Sequence, residues 1–275
     1  MIHSLFMKSS LKLRLAWFAA ATILLVSLPA SGASVTTTAS SDAFVATGPT
    51  GDLSGNNFGS AGALAISAGA LPKGEFQSVV QFDLSAARNS FDSQFGAGLW
   101  TAESVTLRLT SSPHNNPIFN DIAAGQFSVS LMQNNSWVEG TGTGGTPTTD
   151  GISFNSLQST YINNATDQNL GTFTFSGGSS GANTYQLGLS SSLVAKLLAG
   201  DDLSLRLYAA DNSIIYLFSS RANVAAGPQL TIIAVPEPAN LSFWLGGFAM
   251  VMLWRWTYLR NRSARRTESW GQSSH

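Results

Sequence analysis

Few residues between positions 34 and 235 are equipped for covalent chemistry. His114, in "SSPHNNP", is the one histidine of this stretch. Serines are so abundant that one lying near His114 and Asp121 makes no nucleophilic triad, which needs three groups in defined roles, and a solvated loop histidine is expected. Asp83 is a candidate acid or base. Asp201 and Asp202 read as a solvated turn. Gly140, Gly142 and Gly145 satisfy the spacing G-x-G-x-x-G, but "TPTTDG" follows where a helix would have to begin, so no helix N-terminus awaits a phosphate. The chain is therefore not expected to be an enzyme. Binding chemistry is better supplied. Sugar rings present apolar C–H faces and many hydroxyls, which flat aromatic rings beside polar groups match, and Trp100 and Tyr161 stand in loop-like contexts as candidate glycan contacts. Trp137, in "NNSWVEG", reads as a core residue. A structural calcium ion would want several oxygens, with Asp42 and Asp52 as candidates, yet no D-x-D-x-D loop occurs and the expectation is no metal and no other cofactor.

The elements that must position these residues are strands. In "VVQFDLS" Val80, Phe82 and Leu84 alternate with Gln81 and Asp83, and in "SVTLRLT" Val105, Leu107 and Leu109 alternate with Thr106 and Arg108. The same period of two runs through Phe127, Val129 and Leu131, through Tyr185, Leu187 and Leu189, and through Leu203, Leu205 and Leu207. Each run is expected to bury one face and wet the other, as the antiparallel sheets of a sandwich do. Only "SSSLVAKLLAGD" reads as a helix, with Ser191 or Ser192 as its cap, a stripe of Leu193, Val194, Leu197 and Leu198, and Gly200 as its stop. No repeat of fixed period appears, so residues 34–234 read as one all-β domain with one short helix. Between Ser34 and Val235 there are thirteen acids and six bases, a net charge of −7. Such a field disfavours nucleic acid as a partner. The chain has no cysteine, so the domain must hold together by burial alone.

The two ends read as addresses. Lys8, Lys12 and Arg14 precede the apolar run Leu15 to Leu28, and "PASGAS" offers Ser31 and Ala33 as small residues, so residues 1–33 read as a signal peptide cut after Ala33. At the other end Leu241 to Tyr258 is apolar apart from Arg255. As a helix it would be roughly 27 Å long, about one hydrocarbon core, and residues 241–258 are predicted to span a membrane. Arg255 can snorkel beside Trp254, Trp256 and Tyr258, which occupy the place of an interfacial aromatic belt. Arg260, Arg262, Arg265 and Arg266 then place the C-terminus in the cytoplasm by the positive-inside rule.

Val235-Pro236-Glu237-Pro238, one span and a terminal arginine cluster resemble the PEP-CTERM sorting signal of Gram-negative bacteria. The resemblance covers residues 235–275. It implies export through the secretion translocon, an inner-membrane intermediate, processing by an exosortase-like enzyme, and delivery to the cell surface or extracellular matrix. The intervening region is similar to the DNRLRE-type surface domains, jelly-roll-like β-sandwiches related to carbohydrate-binding modules. The residues that carry this likeness are Asp42, Asn57-Phe58-Gly59, Phe82-Asp83-Leu84-Ser85, Trp137 with Glu139-Gly140, and Ser219-Ser220-Arg221 before Pro228. The position of Asp83 in that pattern implies a strand-end structural carboxylate, paired with Arg108 or Arg221, in place of an acid or base. The chain departs from that pattern by a Gly- and Thr-rich insertion after Gly140 and by Gln81 where the family commonly has arginine. Together the resemblances imply a surface or matrix module associated with exopolysaccharide. The alternatives are a structural matrix protein without a specific ligand and, third, a polysaccharide-degrading enzyme.

Overall fold

The computed structural model describes residues 31–112, 122–177, 180–237 and 246–258. Residues Gly32–Val235 form one compact unit. Within it the strands form two sheets, and every strand pair of defined register is antiparallel. The smaller sheet has the order β1 (Ala33–Thr38), β11 (Gln229–Pro236), β5 (Trp100–Thr110) and β8 (Ala182–Leu187). The larger has the order β10 (Ile215–Ser219), β3 (Ala63–Ser67), β4 (Phe76–Phe82), β9 (Leu203–Ala209), β6 (Gly125–Met132) and β7 (Gln168–Phe175), with β2 (Ser41–Ala46) paired along β4.

The alternating residues face each other across one core, as their period predicts. Val105, Leu107 and Leu109 of β5 and Leu230 and Ile232 of β11 share a buried cluster with Phe127, Val129 and Leu131 of β6 and Leu203, Leu205 and Leu207 of β9. This makes the protein an all-β sandwich, with no disulfide contributing to it.

The expectation of one wet face per strand fails for part of the larger sheet. β2, β4 and β10 are buried on both faces. Phe44, Phe58, Phe76 and Leu217 form one outer cluster, while Ala43, Val45, Val79, Met132, Trp137, Ile152 and Leu157 form another. The first cluster is covered by the segment that follows β2, through Leu53, Phe58 and Ala61, together with Leu71, and the second by the segment 133–162, which returns over the outside of the sheet. Gln81, read from sequence as a wet-face residue, is buried, and its Nε2 donates to the Asn135 carbonyl at 3.0 Å.

"SSSLVAKLLAGD" forms a helix, although its cap lies one residue earlier than expected. It spans Ser191–Ala199, the Ser190 Oγ accepts from the Leu193 N–H at 3.2 Å, and Gly200 ends it with a left-handed φ of 70°. Leu193 and Leu197 are buried, whereas Leu198 is exposed. This helix is α3, because two others precede it among the described residues: α1 (Ser85–Phe95) and the short α2 (Phe154–Ser156), which continues as a π-helical turn over Leu157–Tyr161. The first buries only Ala87 and Phe91, a stripe too thin to stand out in the sequence. Asp83 stands at its start, where Oδ1 accepts the Ser85 N–H at 2.8 Å and that hydrogen bonding lowers the carboxyl pKa. It therefore does not form the predicted pair with Arg108 or Arg221.

Residues 246–258 form a helix, about 20 Å long at 1.5 Å per residue, in a second unit of the chain. Phe248, Met250, Val251, Leu253 and Trp254 are exposed on it. The start of the predicted span, 241–245, lies outside the described residues. Among the described residues no helix is long and apolar enough to cross a membrane.

Candidate functional site

The segment 133–162 covers only part of the larger sheet: beyond its rim Arg206 and Tyr208 of β9 are partly exposed and Thr172 and Thr174 of β7 are exposed, while Ser128 and Ser130 of β6 between them are buried. Leu205 and Leu207 point into the core, so strand alternation turns Arg206 and Tyr208 outward. Ser128 pairs with both Tyr208 and Thr172, and Ser130 pairs with Arg206, which sets these side chains in one continuous face. The Arg206 guanidinium lies 4.2 Å from the centre of the Tyr208 ring. Its Nε donates to Gln77 Oε1 at 2.7 Å. Gln77 is only 1% exposed and in turn donates to Glu75, while Gln158 from the covering segment donates to the same Oε1 at 3.5 Å. Ser128 and Thr172 join their hydroxyls at 2.8 Å.

Electrostatically the site turns on Arg206. Partial burial lowers its pKa, and the nearby Tyr208, Glu75 and Asp167 oppose that effect. Arginine nevertheless stays charged. The ion pairs among the described residues are Arg88–Asp92 and Arg221–Glu139, so Arg206 has no carboxylate within 4.0 Å. Asp167 is engaged elsewhere, accepting from the Gln133 N–H and the Asn163 N–H at 2.9 Å each. The site therefore offers a positioned cation, a half-buried phenol, hydroxyls and two acidic acceptors, a set suited to hydrogen-bonding a polyhydroxylated ligand.

The covering segment is tied down by buried polar groups. Asn57 is fully buried, and its Nδ2 donates to the Glu139 and Ile152 carbonyls at 2.7 and 2.8 Å. Its Oδ1 accepts from the Gly59 and Gly142 N–H groups, each at 3.1 Å, so the whole capacity of the amide is used. A side chain on residue 142 would run into the Asn57 carbonyl, which explains a glycine there. The Gly- and Thr-rich insertion is thus a folded-back loop, paired with Asn57 through Thr148. Beside it the Arg221 N–H donates to Asp42 Oδ2 at 2.5 Å, and the Arg221 Nε reaches Glu139 Oε1 at 2.9 Å. Asp42 is 1% exposed. Burial pushes its carboxyl up to about 7, with the Glu139 charge adding to the rise and the Arg221 N–H and guanidinium opposing it.

The residues singled out from sequence distribute unevenly over this picture. Trp100 is not a loop residue: it opens β5, is 1% exposed, packs on Phe91 at 4.9 Å between ring centres, and donates from Nε1 to Asp92 at 2.8 Å. Its ring has no free face for a sugar. Tyr161 ends the π-turn of the covering segment, half-buried against the Trp137 cluster. Trp137 is a core residue as expected, bonded through Nε1 to Ser204 Oγ at 2.9 Å. Asp42 and Asp52 do not converge, because Asp42 is the second residue of β2 while Asp52 lies beside Gly48 past the other end of that strand, with about 13 Å of strand between. Among the described residues no group of three potential metal ligands forms.

Gly140, Gly142 and Gly145 lie in the loop with no helix following, and Asp201 and Asp202 are exposed after α3. Ala33 is the first residue of β1 and pairs with Ala234. Val235 and Pro236 end β11 and Glu237 follows it, with Pro238 outside the described residues. Arg255 lies on the helix 246–258. His114, Asp121, Arg260, Arg262, Arg265 and Arg266 lie outside the described residues, as does the signal segment before Ser31.

Sequence reading passed over Arg206 and Tyr208, although "LSLRLYA" carried the signal: the outward positions of an otherwise leucine-rich strand hold a cation and an aromatic two residues apart. A second depression of about 420 Å³ opens between β7 and β8, lined by Phe173, Phe175, Asn183 and Tyr185 among others. Its rings are already engaged, Phe175 on Tyr216 at 3.5 Å and Phe173 on Tyr185 at 5.2 Å, which leaves little flat surface for a ligand. No protein-family model matches the chain, and no curated protein shows significant similarity to it.

Proposed function

We propose that the protein is a non-catalytic, exported module of the cell surface or extracellular matrix, of jelly-roll type, that associates with exopolysaccharide through the open outer face of its larger sheet. One observation carries the binding assignment: Arg206 and Tyr208, partly exposed beyond the rim of the covering segment, are held in fixed mutual geometry by the buried Gln77. A site positioned before the ligand arrives loses less side-chain freedom on binding. Tyr208→Ala is expected to reduce polysaccharide retention in affinity electrophoresis at least tenfold. Its melting temperature should stay within a few degrees of wild type, since half-exposed positions outside the core tolerate change. Full retention by the variant would place binding elsewhere.

Export and sorting form the other half of the proposal. The supporting features are the Pro-Glu-Pro sequence that begins with the last residue of β11, the apolar helix 246–258 and the terminal arginines. A membrane intermediate is processed near Val235-Pro236-Glu237-Pro238 by an exosortase-like enzyme. Changing Pro236, Glu237 and Pro238 together to alanine should leave a full-length membrane form, while the wild-type product loses the span. Equal masses for the two proteins in cell fractions would contradict the sorting role.

A further inference from the structure

We propose that the ligand of this face carries carboxylates, and that Arg206 reads a uronate within the polysaccharide through its two terminal Nη groups. The inference rests on the glycan reading above and sharpens it to a class of sugar.

The geometry of the guanidinium leads to this class. Tyr208 fixes its plane from one side, and Gln77 occupies Nε. Gln77 is buried and itself held through Glu75, so the arginine is oriented before any ligand arrives. Among the described residues no hydrogen bond or ion pair uses Nη1 or Nη2, and neither atom is a buried group left without a partner. Four N–H donors of a fixed plane are therefore left for a ligand. With Nε taken, the remaining fork is the end-on one between Nη1 and Nη2, which two oxygens of one carboxylate fill in parallel.

The surroundings favour a sugar carboxylate over a denser anion. Glu75 and Asp167 act electrostatically on Arg206, so a dianionic group such as a phosphate would be repelled more strongly than a monoanion. A uronate brings one negative charge and several hydroxyls. The charge meets Arg206, and the hydroxyls can exchange hydrogen bonds with the exposed Thr172. The net charge of −7 on the exported region acts in the same direction, favouring uronates spaced among neutral sugars over a continuous polyanion.

The test uses the full chain purified in detergent, with polygalacturonate, alginate and glucuronoxylan as probes, each beside its carboxyl-reduced form. Wild type should bind at least one uronate polymer about tenfold or more tightly than its reduced counterpart, the gain typical of a charge-assisted hydrogen bond. Arg206→Gln should erase that preference, and Arg206→Lys should keep part of it, with circular dichroism and melting curves confirming that both variants fold. Equal binding of native and reduced polymers, or a preference that survives Arg206→Gln, overturns the uronate assignment and leaves the glycan reading standing. Binding to none of the polymers, acidic or neutral, overturns both.

Discussion

Asn57→Ala is expected to destabilise the sandwich by about 4 kcal/mol or more, or to prevent folding altogether. The substitution deletes one amide and orphans four buried backbone groups: the carbonyls of Glu139 and Ile152 and the N–H groups of Gly59 and Gly142. Each buried polar group left without a partner costs about 1 to 3 kcal/mol. Water cannot readily replace the amide, because the site is closed by glycines in close contact with it. Asn57→Asp is the sharper control. It keeps the shape and the acceptor for Gly59 and Gly142 but turns the two donors into an oxygen facing two carbonyls, so it should be no better than alanine. Denaturant midpoints of both variants check this. A loss below about 1 kcal/mol for Asn57→Ala would mean that the covering segment holds its place by the Trp137 cluster alone.

Stability is expected to fall as pH rises from about 4 to above 7, and Asp42 is the reason. Burial pushes its folded carboxyl up to about 7, well above the usual carboxylate value of about 3.9. Between those two values the folded state holds a proton that the unfolded chain has released, so raising the pH favours unfolding. The difference corresponds to about 4 kcal/mol, fully lost once the pH passes the folded value. Asp83, Asp150 and Asp211 are shifted downward by hydrogen bonds to their charged forms, so they change protonation below this window. Asp42→Asn keeps an oxygen for the Arg221 N–H and removes the proton, so it should flatten the profile and exceed wild type at pH 8.5. Comparing the two proteins also cancels any contribution from His114. Parallel profiles for wild type and variant would show that Asp42 does not control the dependence.

The parts of the fold that could be read in the chain are those where one strand has one wet side. β5, β8 and the end of β9 announce themselves because Leu107, Leu187 and Leu207 are flanked by residues that meet solvent, and β6 alternates in residue type although Ser128 and Ser130 are buried too. β2, β4 and β10 do not alternate in burial, since residues 53–61 with Leu71 cover one part of their outer face and the segment 133–162 another, and no local pattern records that. Asp42 and Arg221 were marked by their likeness to a family, and the structure brings them together, yet their spacing of 179 residues gives no local hint of it. Trp100 misled for a local reason: "FGAGLW" places it after two glycines, which suggests a loop, while its burial depends on Phe91 and Asp92 of an unforeseen helix. Arg206 and Tyr208 were visible as outward residues, but their importance depends on Gln77 and Gln158, which reach them only in the folded sheet.

Hydrogen exchange of the full chain with and without a uronate oligosaccharide is the most direct test of the proposed face. Binding there should slow exchange in the backbone of β9 around Arg206 and Tyr208, in β6 around Ser128 and Ser130, and at the rim near Gln158 and Tyr161, leaving the smaller sheet unchanged. Protection confined to the depression between β7 and β8, or to the outer face of β1, β11 and β5, would contradict the assignment of this face as the binding site.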